Sequence, residues 1–224
     1  MTNKIFTHKP LDITYKLEEV YQDGSRFYKT PAGIFPSVTT VVGWEKQKFF
    51  SEWRSKNPEE SKRVTSRGTK FHKLLEDYLN NEEIDFDNMH SMQKSLFSLV
   101  KPEIDKIDNI VALEKPLFSS TLGLAGRVDC IAEYNGKLSI IDFKASTKEK
   151  RESDIDNYFA QATAYSLMFQ ERTGTIIENF AIIIGCEDSM RQVFEGKPLH
   201  YVKHLSKLIK RYREHHGVPR TEDA

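Results

Sequence analysis

Two aspartates and a lysine, Asp129, Asp142 and Lys144, stand inside runs that otherwise read as buried strands, "GRVDCIAEY" and "KLSIIDFKAS". Between the runs lies Asn135-Gly136. A two-residue type I′ turn needs positive φ at both central positions, and Asn-Gly meets that need well, so the stretch predicts a β-hairpin. The turn also sets the register. Tyr134 opposes Lys137, and counting outward places Asp129 opposite Asp142 and Arg127 opposite Lys144, all on one face, with Val128, Cys130, Ile141 and Phe143 on the reverse face to pack against helices. Opposed carboxylates about 5 Å apart destabilise a sheet unless something sits between them. A hard divalent cation such as Mg²⁺ suits that gap, because it takes one or two protein carboxylates and leaves other positions to water and substrate phosphate. Lys144 would project beside the cation, where it could orient an attacking water or stabilise phosphorane charge. This is the minimal equipment for hydrolysing a phosphodiester. The competing reading is an ion-pair square on a half-exposed sheet, since charged strand faces are common.

The elements that must position these residues are legible around them. "ITYKLEEVY", "RFYKT" and "IFPSVTTVVG" read as three strands of a meander, punctuated by the turns "QDGS" and "TPAG". Asn57-Pro58 predicts a cap and first-turn proline for a helix reaching Asn80 or Asn81, with Phe71, Leu74, Leu75 and Tyr78 as its buried stripe and His72 and Glu76 one turn apart beside it. A further helix is expected around Met92 to Val100. Strands follow in "IVALEKPLF", "LAGRVDCIAEY" and "KLSIIDFKA". Next come a helix from about Asp154 to Arg172, stopped by Gly174, then the strand "NFAIIIGC", a shorter strand near Gln192 to Phe194, and a last helix from about Pro198 to His215.

The 224 residues suffice for one main domain with a substantial core. A net charge of zero hides a partition: residues 37–75 hold nine Lys/Arg against four Asp/Glu, residues 76–114 three against ten, and residues 197–213 six against none. Two regions could therefore face a polyanion, or be ordinary solvated helix faces. The N-terminal third also interleaves aromatics with these cations, among them Trp44, Phe49, Phe50 and Trp53 beside Lys46, Lys48 and Arg54. Exposed aromatics next to basic residues suit the stacking of unpaired bases, although most must serve the core. The two cysteines, Cys130 and Cys186, imply neither a disulfide framework nor a four-cysteine metal or iron-sulfur site. The N-terminus has neither a signal-peptide core nor transit-peptide bias, so a cytoplasmic setting in a bacterial or phage-infected cell is the default expectation.

"GRVD" and "IIDFKAS", with Asp142 thirteen residues on from Asp129, resemble the PD-(D/E)XK nuclease superfamily in its RecB-like branch. "RGTKFHKLLEDYL" is similar to that branch's His helix, "LEKPLF" to its Glu-bearing first core strand and "QATAY" to its Gln-x-x-x-Tyr helix. "PSVTTVVG" and the arrangement of "GKLSIIDFKAS" with "YFAQATAY" look most similar to mitochondrial genome maintenance exonucleases and their phage-encoded relatives. The resemblance implies a restriction-endonuclease-like α/β core, a mixed central sheet flanked by helices, over 58–224, with residues 1–57 as a meander-and-helix appendage that helps enclose DNA. It implies a monomeric, stand-alone exonuclease that cuts single-stranded DNA from free ends with Mg²⁺ or Mn²⁺, in DNA repair or recombination. By position, His72, Asp129 and Asp142 would be metal ligands, joined by the main-chain carbonyl of Phe143, with Lys144 as the catalytic lysine. Glu76 and Glu114 would be subsidiary ligands. Gln161 and Tyr165 would contact the DNA backbone or position the lysine, and Arg67, Arg127 and Ser146 would add nucleic-acid contacts. A nuclease for double-stranded ends or flaps, or a DNA-binding scaffold with an inactive site, are the alternatives.

Overall fold

A computed structural model describes residues 4–11 and 15–216. Five strands form the central sheet in the order β4 (Ile107–Ser119), β5 (Leu124–Tyr134), β6 (Lys137–Ser146), β7 (Asn179–Cys186) and β8 (Arg191–Gly196). All neighbours are antiparallel except β6 and β7, which run parallel because α5 (Asp156–Thr173) carries the chain back between them.

Two apolar layers clamp this sheet. On one side α3 (Pro58–Leu79) and α4 (Ser91–Ile104) bury Phe71, Leu75, Phe97 and Val100 against Cys130, Ile141, Phe143 and Ile183. On the other, α5 and α6 (Val202–His216) bury Phe159, Met168, Leu205 and Tyr212 against Val128, Ile131, Ile140 and Ile182. Gly174, at φ 74°, ends α5 in the left-handed conformation, as its position predicted.

Residues 18–36 form the expected meander of β1 (Glu18–Gln22), β2 (Ser25–Thr30) and β3 (Gly33–Pro36). The expected beginning of the first strand at Ile13 and Thr14 lies outside the described residues. The third strand is shorter than anticipated. Ser37 accepts a hydrogen bond from the Thr40 amide and caps α1 (Val38–Gly43), so a β-branched run folds as helix because Val38, Val41 and Val42 are thereby buried in the α5–α6 layer. The N-terminal segment thus shares the main core, and Tyr28 packs on Phe118 and Ala125 of the central sheet.

After a short 3₁₀ turn, α2 (Gln47–Lys56) buries none of its residues. Asn57 holds the N-cap position of α3 as expected, but its side chain makes no capping bond there; its amide donates to the Trp53 carbonyl and ties off α2 instead. Among the described residues, no helix is long and apolar enough to cross a membrane.

Candidate active site

The hairpin register follows the Asn-Gly turn as far as it is laddered: Tyr134 pairs with Lys137 and Cys130 with Ile141. Beyond Cys130 the alternation fails. Val128 joins the α5 side with Ile131, whereas Cys130 joins the α3 side, so the two do not share the reverse face that regular pleating would give them. The neighbouring strand is distorted at the same level. Glu114 lies between the pairs Leu113–Cys130 and Lys115–Val128 and has φ 47°, a left-handed conformation that a glutamate enters at a cost of about 1 kcal/mol. Held strain of this kind re-aims a side chain, and here it aims Glu114 at Asp129.

Asp129 therefore does not face Asp142 across a flat ladder. Its Oδ2 accepts the Phe143 amide at 2.9 Å, taking the place of a ladder bond where the strands part, and stands 3.5 Å from His72 Nδ1 on α3. His72, Glu114 and Asp129 offer ligand atoms all within 4.8 Å of one another. Asp142 points toward α5. There its Oδ1 accepts from Gln161 Nε2 at 2.7 Å, and its Oδ2 touches the Lys144 ammonium. Lys144 also lies over the Tyr158 ring, 5.2 Å from its centroid.

The electrostatics record how little water reaches this cluster. Burial raises the Asp129 carboxyl above the usual range, against the pull of Lys144 and the Phe143 amide. Burial, opposed by Lys144 and aided by Asp129, pushes Asp142 up to about 6. Glu114 is pushed up to about 7 by burial and then by Asp129 and Glu76. His72 is pushed down to about 4 by burial and by Lys144, so near neutral pH it is an unprotonated nitrogen donor. The Phe143 main chain opposes this shift and favours the charged ring. Lys144 is raised, because its carboxylate neighbours outweigh burial. Three buried or half-buried carboxylates around one ammonium leave an excess of negative charge, and oxygen donors with one imidazole suit a hard divalent cation. The residues present fit such an ion.

The other expected site residues are distributed around this centre. Glu76 is close enough to raise Glu114, and Lys73 stands 3.6 Å from its carboxylate. Tyr165 is buried, its hydroxyl so near Gly126 that a Cβ there would meet it at 2.7 Å, which is why "GRVD" begins with glycine. Gln161 is buried as well, and its side-chain amide donates to Asp142 rather than facing the surface. Arg67 is held by Glu187 at 2.5 Å, by Thr147 Oγ1 and by the Ala145 carbonyl, so it braces the end of β6 just past Lys144. Ser146 is buried and donates to the Lys148 carbonyl, while Arg127 is exposed. Tyr158 was not anticipated. Its signal was its place three residues before Gln161, on the same helix face.

Lys144 opens into a cleft of about 600 Å³ between α2, α3 and the start of α5, whose walls include Phe49, Phe50, Arg54, Lys148 and Tyr158. A second cleft of about 240 Å³ continues past Phe50 and Arg54 toward Ser25 and Thr39.

Comparison with known proteins agrees with this geometry. The chain is 29% identical over 183 residues to human (Homo sapiens) mitochondrial genome maintenance exonuclease 1, covering 75% of this chain and 52% of that protein. It is 31% identical over 128 residues to the mouse (Mus musculus) protein of that name, covering 51% of this chain and 38% of the relative. The chain thus spans about half, or less, of the length of the curated relatives it matches. The profile of the PD-(D/E)XK nuclease superfamily matches residues 82–214, more than half of the sequence and the stretch that holds β4 to β8, Glu114, Asp129, Asp142 and Lys144. With a five-stranded mixed sheet between helices and an Asp-Asp-Lys cluster where two of its strands part, the chain belongs to the PD-(D/E)XK nuclease superfamily and has its restriction-endonuclease-like fold.

Proposed function

We propose that the protein is a divalent-metal-dependent exonuclease that hydrolyses single-stranded DNA from free ends. The observation that carries this reading is the convergence of His72, Glu114 and Asp129 next to the Asp142–Lys144 pair, with Lys144 lining an open cleft. His72, Glu114, Asp129 and Asp142 would hold Mg²⁺ or Mn²⁺, which polarises a phosphoryl oxygen and makes a bound water acidic.

The chain's own residues do the rest. Gln161 holds one oxygen of Asp142 and leaves the other for Lys144, so the carboxylate keeps a single orientation. Tyr158 confines the lysine stem, and the carboxylates keep its ammonium charged. A charged Nζ in the cleft wall is placed to donate to a non-bridging phosphate oxygen as negative charge builds there. Two things support an unpaired strand and a free end: an open cleft walled by aromatic and basic side chains, and relatives that are named exonucleases. Residues 1–57 would enclose that strand, with α2 forming one wall.

Lys144→Ala tests the assignment. It removes a contact that matters most in the transition state but only one of many positive charges, so DNA binding should stay within a few-fold while cleavage is lost. Turnover above about a tenth of wild type would contradict the role.

A further inference from the structure

Ten residues of α2 contain three aromatics, Phe49, Phe50 and Trp53, yet the helix buries none of its side chains. Phe49 is 66% exposed and Phe50 46%. Their rings touch edge to face, with centroids 5.4 Å apart, so the pair offers open π-faces rather than a closed contact. Exposed aromatics on an otherwise polar helix mark a surface meant to be covered.

Two further observations say what covers it. The cleft that these rings line also has Lys144 in its wall, and so reaches the lysine that pairs with Asp142. Phe50 and Arg54, one helical turn apart, also line the second cleft, where Ser25 and Thr39 supply small polar walls. One path therefore passes from Lys144 under Phe49 and Phe50 and out past Arg54. Its occupant must present flat apolar faces and regularly spaced anionic groups, which is the chemistry of an unpaired polynucleotide.

Resting on the nuclease reading above, we infer that Phe49 and Phe50 stack on the bases of the nucleotides next to the phosphate at Lys144, while Arg54 contacts the backbone between them. A duplex hides its base faces in its own stack, so this contact is made by unpaired nucleotides and selects for them.

The test uses the full chain carrying Lys144→Ala, which leaves the strand uncut, with Mg²⁺ and two fluorescent probes of equal length: oligo-dT and an oligomer of abasic residues. Phe49→Ala with Phe50→Ala should weaken oligo-dT binding roughly tenfold or more. The same pair should leave abasic binding nearly unchanged, so that the protein no longer tells the probes apart. Phe49→Trp with Phe50→Trp should restore the discrimination. Oligo-dT affinity within about twofold after the alanine pair, an abasic penalty that survives it, or no binding of either probe before it would each overturn the inference. Cleavage by the chain with Lys144 intact is scored separately. If that chain cuts DNA while the alanine pair binds normally, only the stacking inference fails; if it never cuts, the nuclease reading fails.

Discussion

Replacing Glu114 with glutamine should make the metal-free protein more stable, although it removes a proposed metal ligand. Glu114 is half-buried, set in left-handed backbone and aimed at Asp129. Burial first, then Asp129 and Glu76, push its carboxyl from 4.5 up to about 7. Because the folded form holds a proton that the unfolded chain has released, stability from this group is full below about pH 4.5, is lost as pH rises, and reaches its minimum above about pH 7. At about 1.4 kcal/mol per pH unit the full displacement amounts to about 3 kcal/mol, and solvent screening of a half-buried group leaves about 1–2 kcal/mol. Glutamine keeps the shape without the charge. In EDTA at pH 8 the variant should therefore unfold about 2–8 °C above wild type, and the gap should close near pH 4.5. Adding Mg²⁺ should reverse the order, because wild type gains the binding energy that the variant lacks. Thermal unfolding with and without the ion reads all of this. A variant no more stable than wild type in EDTA at pH 8 would refute the reading of Glu114 as an uncompensated carboxylate.

Two further substitutions probe the supports of the site. Gln161→Leu strips the Asp142 Oδ1 of its donor inside a dry site, which should cost about 1–3 kcal/mol of stability in urea titrations and about 10–100-fold in turnover or metal affinity; a neutral outcome would show that Asp142 orients itself. Gly126→Ala drives a methyl to 2.7 Å from the buried Tyr165 hydroxyl and should cost about 1–3 kcal/mol, partly recovered by adding Tyr165→Phe. Equal stability of the two alanine-bearing proteins would place the clash elsewhere.

The parts of this fold governed by local rules were readable in advance. Asn135-Gly136 gave the turn, and the turn gave the register from Tyr134 to Cys130. Helical spacing gave α3 and α5, and Gly174 gave the end of α5. The misjudgements lie where tertiary packing overrides those rules. Val38 to Gly43, a β-branched run, is helical because its valines complete the core beside α5. Asp129 was expected to oppose Asp142 on a flat ladder, but the strand turns at that residue and hands it to His72 and Glu114 instead. No pattern of residue types announces a left-handed glutamate in a strand, so Glu114 ranked below its true proximity to the cluster. Lys144 could be named from the motif; the ring of Tyr158 over it could not.

The most direct test of the central claim is to incubate the purified protein with end-labelled linear and with circular single-stranded DNA, in Mg²⁺, Mn²⁺ or EDTA. The account predicts that linear strands are degraded with either metal, that circles survive, and that EDTA stops all cleavage. Failure to cut either substrate with both metals, or cleavage that persists in EDTA, would contradict a metal-dependent nuclease; circles cut as fast as linear strands would contradict action from free ends.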